Sequence, residues 1–160
     1  MTDTKNSLYV ISYHSPIGTI EICGTDEYIT AVHFKDNQVI LSNNVPEILK
    51  RCARQLDEYF NHQRRDFDLP LKLKGSEFQL LVWKELQRIP FGITQSYSEI
   101  ARLINNPRAV RAVGGANHAN PIVIIIPCHR VIGADGRLVG YGGGLWRKKW
   151  LLEHEGLTQI

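Results

Sequence analysis

Three helix-start signals, at Ser76, Ser96 and Asn106, follow one another closely after Gly75. Ser76 with Gln79, and Ser96 with Glu99, have capping-box spacing, in which the serine and the residue three positions on satisfy each other's backbone N–H groups. Asn106 suits an N-cap and Pro107 the first residue of the helix behind it. Phe78, Leu81, Val82, Leu86 and Ile89 form an apolar stripe after the first start, and Ile100, Leu103 and Ile104 point inward after the second. Pro90-Phe91-Gly92 stops the first helix. Asn105-Asn106-Pro107 is a tight break between the next two, so the pattern predicts a helix-turn-helix. Residues 122–126 read as an apolar extended run. Residues 131–133 and 138–139 flank the turn signal Ala134-Asp135-Gly136, which predicts a hairpin and hence a winged variant. A last helix over 145–154 offers Trp146, Trp150 and Leu151 for packing, and Gly156 is its natural stop.

The chain before Gly75 follows a different period. Residues 8–13, 19–23 and 28–34 alternate in the manner of strands, with a Ser-Pro-Ile-Gly turn at 15–18, so an antiparallel meander is expected. Pro46 then stands near the start of a helix carrying Ile48, Leu49, Cys52, Leu56, Tyr59 and Phe60 on one stripe. Residues 64–75 have no helical period. The expectation is an α+β protein with a sheet-plus-helix domain over 1–74 and a mostly helical domain over 75–160.

Composition excludes several classes. Hydrophobic residues are 43% and charged residues 22%, which rules out a disordered, collagen-like or coiled-coil chain. The 160 residues can bury a core without disulfides or metal. The aliphatic run at 122–126 is far short of the roughly 20 residues of a membrane span, and residues 1–7 lack the pattern of a secretory signal. The 3 cysteines are widely spaced and make no disulfide framework, so a reducing, cytoplasmic compartment is expected. No paired metal-ligand spacing and no nucleotide-binding glycine motif are present, so neither zinc nor a bound cofactor is expected. Charge is uneven: residues 1–74 hold 9 basic and 10 acidic side chains, a net of −1, and residues 75–160 hold 10 and 6, a net of +4. A polyanion would meet the second half.

Cys128 is the candidate nucleophile. A cysteine attacks as its thiolate and needs help losing its proton. His129 and Glu155 could supply a base and a group to orient it. Neighbouring side chains point apart, so a water could link Cys128 to His129. The plainer alternative is a small buried thiol beside a core histidine satisfied by Glu155. Cys23 and Cys52 read as core residues. The helix over 107–117 buries Val110 and Val113 and turns Arg108, Arg111, Ala112 and Gly115 outward, with Gly114 beside them. Adjacent glycines inside a helix cost about 1 kcal/mol each relative to alanine. Close helix packing would justify them, and so would a nucleic-acid groove in which phosphates hold the register.

Pro127-Cys128-His129-Arg130-Val131, with Asn120-Pro121 and residues 124–126 before it, resembles the acceptor motif of the methylated-DNA–protein-cysteine methyltransferases, the O6-alkylguanine-DNA alkyltransferases. The family's order and spacing continue through Ile89-Pro90-Phe91-Gly92, Ser96-Tyr97, Arg111-Ala112-Val113-Gly114-Gly115-Ala116, Gly140-Tyr141, Gly143-Gly144-Leu145 and Leu151-Leu152-Glu153-His154-Glu155-Gly156. The match is dense over 75–160 and looser over the first half, through Ser15-Pro16-Ile17-Gly18-Thr19 and Phe67-Asp68-Leu69-Pro70.

The resemblance implies a ribonuclease-H-like first domain and a DNA-binding second domain that moves the alkyl group of O6-methylguanine, with O4-methylthymine a second candidate lesion, to Cys128 in a single irreversible turnover. It implies that His129 acts as base through a water, that Glu155 orients His129, and that Asn120 holds the active-site loop. Tyr97 would contact the extruded guanine and the rotated phosphate. Arg111 would fill the gap in the base stack, on a helix whose Ala112, Gly114 and Gly115 let DNA approach. Val131, Tyr141 and Gly142 would line the guanine pocket. The implied partner is double-stranded DNA, met from its minor groove by a monomer able to cluster on DNA. Two rivals stand beside this reading: a lesion-binding protein without transfer, and a cysteine hydrolase that turns over repeatedly.

Overall fold

In the computed structural model, which describes residues 7–158, β1 (Tyr9–Ser15), β2 (Gly18–Gly24) and β3 (Ile29–Phe34) form an antiparallel sheet in that order. Ser15 shapes the first turn. Its hydroxyl donates to Gly18 O at 2.6 Å and accepts from the Ile17 N–H at 3.1 Å, while Gly18 takes φ 116°. Ile22 lies opposite both Ile11 and Val32, so one register sets the inner face. Helix α1 (Glu47–Phe60) packs on the sheet and buries Leu49, Cys52, Leu56, Tyr59 and Phe60, roughly 2 kcal/mol for each large side chain. Leu56→Ala would cost about 3 kcal/mol through the cavity it leaves. The segment without helical period returns along β3: Ile29 N–H donates to Pro70 O at 2.9 Å and Lys72 N–H to Ile29 O at 3.0 Å. Gln55, buried, is satisfied there by both backbone groups of Asp68.

The described residues divide into two compact units between Leu73 and Lys74. The second opens on α2 (Glu77–Leu86), whose capping box is complete: Ser76 Oγ accepts from the Gln79 N–H at 3.1 Å, and Gln79 Oε1 accepts from the Ser76 N–H at 3.0 Å. The buried face differs from the expected stripe. Leu81 is exposed, and Trp83 is buried in its stead, its indole N–H donating to Ala116 O at 2.8 Å. A large ring with one polar atom gains more from burial than a leucine once that atom has a partner.

Helix α3 (Tyr97–Leu103) is capped by Ser96, which accepts from the Glu99 N–H at 3.1 Å. It buries Ile100 and Ala101 and leaves Leu103 exposed. Helix α4 (Val110–His118) begins later than Pro107, because Ala109 N–H bonds Asn106 O at 3.0 Å and closes a turn first. Its buried residues are Val113, Ala116 and Asn117, with Val110 exposed. α2 and α3 both pack on α4.

The expected hairpin is not a ladder. β5 (Val131–Ile132) pairs in parallel with β4 (Gln95–Ser96), and residues 138–139 form no strand among the described residues. The turn itself is present, closed by Gly133 N–H to Arg137 O at 2.8 Å. The returning backbone serves side chains instead: Val139 O accepts from Tyr97 and Lys148, and Gly140 O accepts from Lys148. Helix α5 (Leu145–His154) ends in a Schellman motif, with Leu157 N–H on Leu152 O, Gly156 N–H on Glu153 O and Gly156 at φ 98°. Leu151 is buried as expected, but Trp146 is 58% exposed and the charged Arg147 and Lys148 are buried.

Candidate active site

Residues 122–126 are not extended. Ile126 N–H bonds Ile122 O at 3.0 Å and Ile125 N–H bonds Val123 O at 2.8 Å, so the run is a turn with Ile124 at φ 72°. A β-branched residue in that region costs on the order of 1–3 kcal/mol and must be held there. Burial of Ile122, Ile124 and Ile126 does part of this. Asn120 does the rest: its amide N–H donates to Ile126 O at 2.8 Å and its carbonyl accepts from the Ile122 N–H at 3.0 Å. The clamped loop delivers Cys128 onto a single 3₁₀ turn, Cys128–Arg130.

Cys128, 4% exposed, sits among groups of mixed character. Burial pushes its thiol up, while the Asn120 amide and the Lys148 ammonium pull the other way. Its carbonyl accepts from the Asn117 amide at 3.3 Å, which ties it to α4. Next to it, His129 Nε2 lies 2.7 Å from Glu155 Oε2, and both side chains are fully shielded. Burial lowers the His129 pKa and Glu155 raises it, with Arg130 and Lys148 adding to the lowering. Burial alone would raise the Glu155 carboxyl, but His129 and Arg130 outweigh it and hold it well below the usual carboxylate range. His129 Nδ1 is buried without a hydrogen-bond partner. With Nε2 engaged by a carboxylate, Nδ1 is the ring nitrogen left to accept a proton.

Tyr97 and Tyr141 complete the surroundings. Both phenols are raised, first by burial and then by Cys128. Tyr97 donates to Val139 O at 2.7 Å, and Lys148 Nζ lies 3.4 Å from its oxygen. The Tyr141 hydroxyl is buried and unpartnered. Val131 is fully buried in β5, and Gly142 is exposed on the loop behind Tyr141. On α4, Arg111, Ala112 and Gly115 are exposed, and Gly114 is half-buried with the Tyr97 ring beside it, where an added Cβ would meet Tyr97 Cδ1 at 4.0 Å. Nothing lies within 4 Å of the Cβ position of Gly115.

The structure therefore gathers Cys128, His129, Glu155, Asn120, Tyr97 and Tyr141. Arg111, Ala112 and Gly115 stand on the outer face of α4. Sequence reasoning missed Asn117 and Lys148, and gave no role to Arg130 and Gly92 within the motifs that hold them. Arg130 had a signal, since it adjoins His129. Lys148 lies in the run Arg147-Lys148-Lys149, which reads as a solvated surface. Among the described residues no metal-binding cluster occurs.

Comparison with known proteins gives one consistent result. Residues 8–73 match the family described as 6-O-methylguanine DNA methyltransferase, ribonuclease-like domain, and residues 77–157 match 6-O-methylguanine DNA methyltransferase, DNA binding domain. A methylated-DNA–protein-cysteine methyltransferase of Methanosarcina acetivorans is 45% identical over 156 residues, covering 93% of this chain and 99% of that protein. The crystal structure of Mycobacterium tuberculosis O6-methylguanine methyltransferase superposes with a TM-score of 0.84 at 44% identity, covering 93% of both chains. The same organism's protein in complex with DNA gives 0.82 at 45% identity, covering 92% of this chain and 91% of that one.

Proposed function

Because this chain belongs to the 6-O-methylguanine DNA methyltransferase family, we infer that Cys128 is the acceptor in the family's reaction, DNA repair by direct alkyl transfer to a protein cysteine. The observation that carries the assignment is the buried His129–Glu155 pair beside a thiol that the Asn120-clamped loop holds in place. His129 Nδ1 takes the Cys128 proton through a bridging water. The sulfur attacks the methyl carbon, the S–C bond forms and the C–O6 bond breaks. The electron pair leaves with guanine, which takes up a proton in turn. The thioether is not reduced under cellular conditions, so each chain acts once.

DNA is the partner. The methyl carbon is out of reach while the base is stacked, so the base leaves the duplex at a cost of a few kcal/mol. Helix α4 meets the minor groove through Ala112, Gly114 and Gly115. Arg111 occupies the space vacated by the base. Tyr97 contacts the extruded guanine and the phosphate beside it. Val131, Tyr141 and Gly142 line the pocket. The net +4 of residues 75–160 adds a salt-sensitive attraction. The protein works as a monomer able to cluster on DNA. Its free thiols suit the reducing cytoplasm, and no helix among the described residues is long and apolar enough to cross a membrane.

Intact mass tests the assignment. After mixing with excess duplex holding one O6-methylguanine, the protein gains one methyl, mapped to Cys128, and no second. Tight lesion binding without a mass change would favour recognition alone, and more product than protein would favour a hydrolase.

A further inference from the structure

The geometry points to Arg130 as a positioning residue for the transfer: with the turn at residues 89–92 it clamps Glu155, and through Glu155 it fixes His129. The inference rests on the reading of Cys128 and His129 given above.

The clamp has three sides. Arg130 engages both carboxylate oxygens, Nε to Oε1 at 2.8 Å and Nη2 to Oε2 at 3.1 Å. Its remaining nitrogen, Nη1, donates to Ile89 O at 2.7 Å. Gly92, at φ 80°, brings its own N–H to Glu155 Oε1 at 3.2 Å. An added Cβ there would sit 3.1 Å from Glu155 O. Phe91 places its ring 5.8 Å from the guanidinium. The Ile-Pro-Phe-Gly turn, which in sequence only stops a helix, thus becomes one jaw of a carboxylate holder.

Packing does not require this arrangement. Apolar residues of similar volume often replace a buried ion pair with no loss of stability. What they cannot do is keep a carboxylate ionised against an imidazole. A bidentate guanidinium suits that task, since its fork matches both oxygens and is always charged. Arg130 also adds a cation beside His129, which favours the neutral, proton-accepting ring. The other titratable groups facing this pair are Cys128, Lys148 and Tyr141.

Removing Arg130 therefore raises the protonation midpoints of Glu155 and of His129 alike. Both changes push the acid limb of the reaction the same way. The experiment is the rate of methyl transfer to duplex O6-methylguanine from pH 5 to pH 9, corrected for active fraction by the stoichiometric endpoint. Arg130→Met is expected to move the acid limb up by about 1–3 pH units, the span an arginine imposes on a neighbouring carboxylate, and Arg130→Lys to recover part of the shift. A merely structural arginine would lower the active fraction and leave the midpoint in place, and that result overturns the inference.

If Arg130→Met does not fold, the pair is replaced whole. Arg130→Met combined with Glu155→Gln leaves no unpaired carboxylate. It is expected to match Glu155→Gln alone in corrected rate on the alkaline side of the profile, where His129 is neutral in both variants and Arg130 has only Glu155 to act through. A further tenfold loss in the double variant would refute the coupling. Wild-type protein in the same assay separates the two levels of argument: no methyl on Cys128 there would sink the assignment of the site, whereas normal wild-type transfer with unmoved variants would sink only the role of Arg130.

Discussion

His129 and Glu155 meet through a 2.7 Å contact from which solvent is excluded on both sides. That contact makes acid the weak direction for this protein. Burial works to raise the Glu155 carboxyl, but His129 and Arg130 hold it low, so in the folded chain it stays ionised where an unfolded glutamate, near 4.3, takes up a proton. Its contribution is complete above the unfolded value and is lost as pH falls. Burial keeps folded His129 neutral where the unfolded imidazole, near 6.5, becomes charged, so it acts in the same sense. Urea midpoints should decline from pH 7 through pH 4, with the first part of that decline absent in His129→Asn. A midpoint as high at pH 4 as at pH 7 would contradict the linkage.

The other two thiols should stay out of the chemistry. Burial pushes Cys23 up to about 11, with Glu21 adding to it, and pushes Cys52 up to about 12. The Cys23→Ser, Cys52→Ala double variant is expected to accept one methyl per folded chain, as the wild type does. Cys128→Ser should retain lesion binding and transfer at least about 1,000-fold more slowly, the scale of losing a nucleophile. Peptide mapping after reaction decides between them: methyl on Cys23 or Cys52 would remove Cys128 from its assigned role.

Arg111 is exposed on α4, in the first turn of a helix whose outer face is otherwise small. Arg111→Ala should weaken duplex binding and slow transfer to duplex by about tenfold, and lower the salt slope of binding by about 1. Transfer from free O6-methylguanine base should change little, since the free base leaves no gap to fill. Equal losses on the two substrates would argue against insertion into the base stack.

The elements legible in the sequence were those written by local rules. Ser76-Gln79 carries its full capping box in its spacing and Ser96-Glu99 the serine's half of one, and the stripe of α1 is buried from Leu49 onward as its period requires. Cys128, His129 and Glu155 could be named, although 26 residues separate the last two. What could not be read depends on which partner a group finds in space. The 138–139 backbone looked like a strand until Tyr97 and Lys148 claimed its carbonyl. Ile124 looked extended because no local signal marks a β-branched residue forced to φ 72° by a side chain four positions earlier. Lys148 carried no local signal, because burial of an ammonium is decided by the acceptors that Tyr97 and the Val139-Gly140 backbone bring to it.

Lys148 gives stability an alkaline dependence. It is fully buried, with Val139 O and Gly140 O each 3.2 Å from its nitrogen and the Tyr97 oxygen at 3.4 Å. Burial lowers its pKa to about 8, against the pull of Cys128. A lysine depressed in the folded state binds its proton less well there than in the unfolded chain, where the value is near 10.4. Below pH 8 both states are charged and the folded one bears the cost of burying the cation. Between about 8 and 10.4 the folded amine is neutral while the unfolded one is still protonated, so this group's share of stability rises with pH. Other groups titrate in that range, and the comparison with Lys148→Met removes them. The unfolding free energy of the wild type minus that of Lys148→Met should climb between pH 8 and pH 10 by roughly 2 kcal/mol, the order set by a shift of this size. A difference that stays flat would mean that Lys148 is hydrated in solution. Its carbonyl contacts would then give no reason to place a charge beside Cys128.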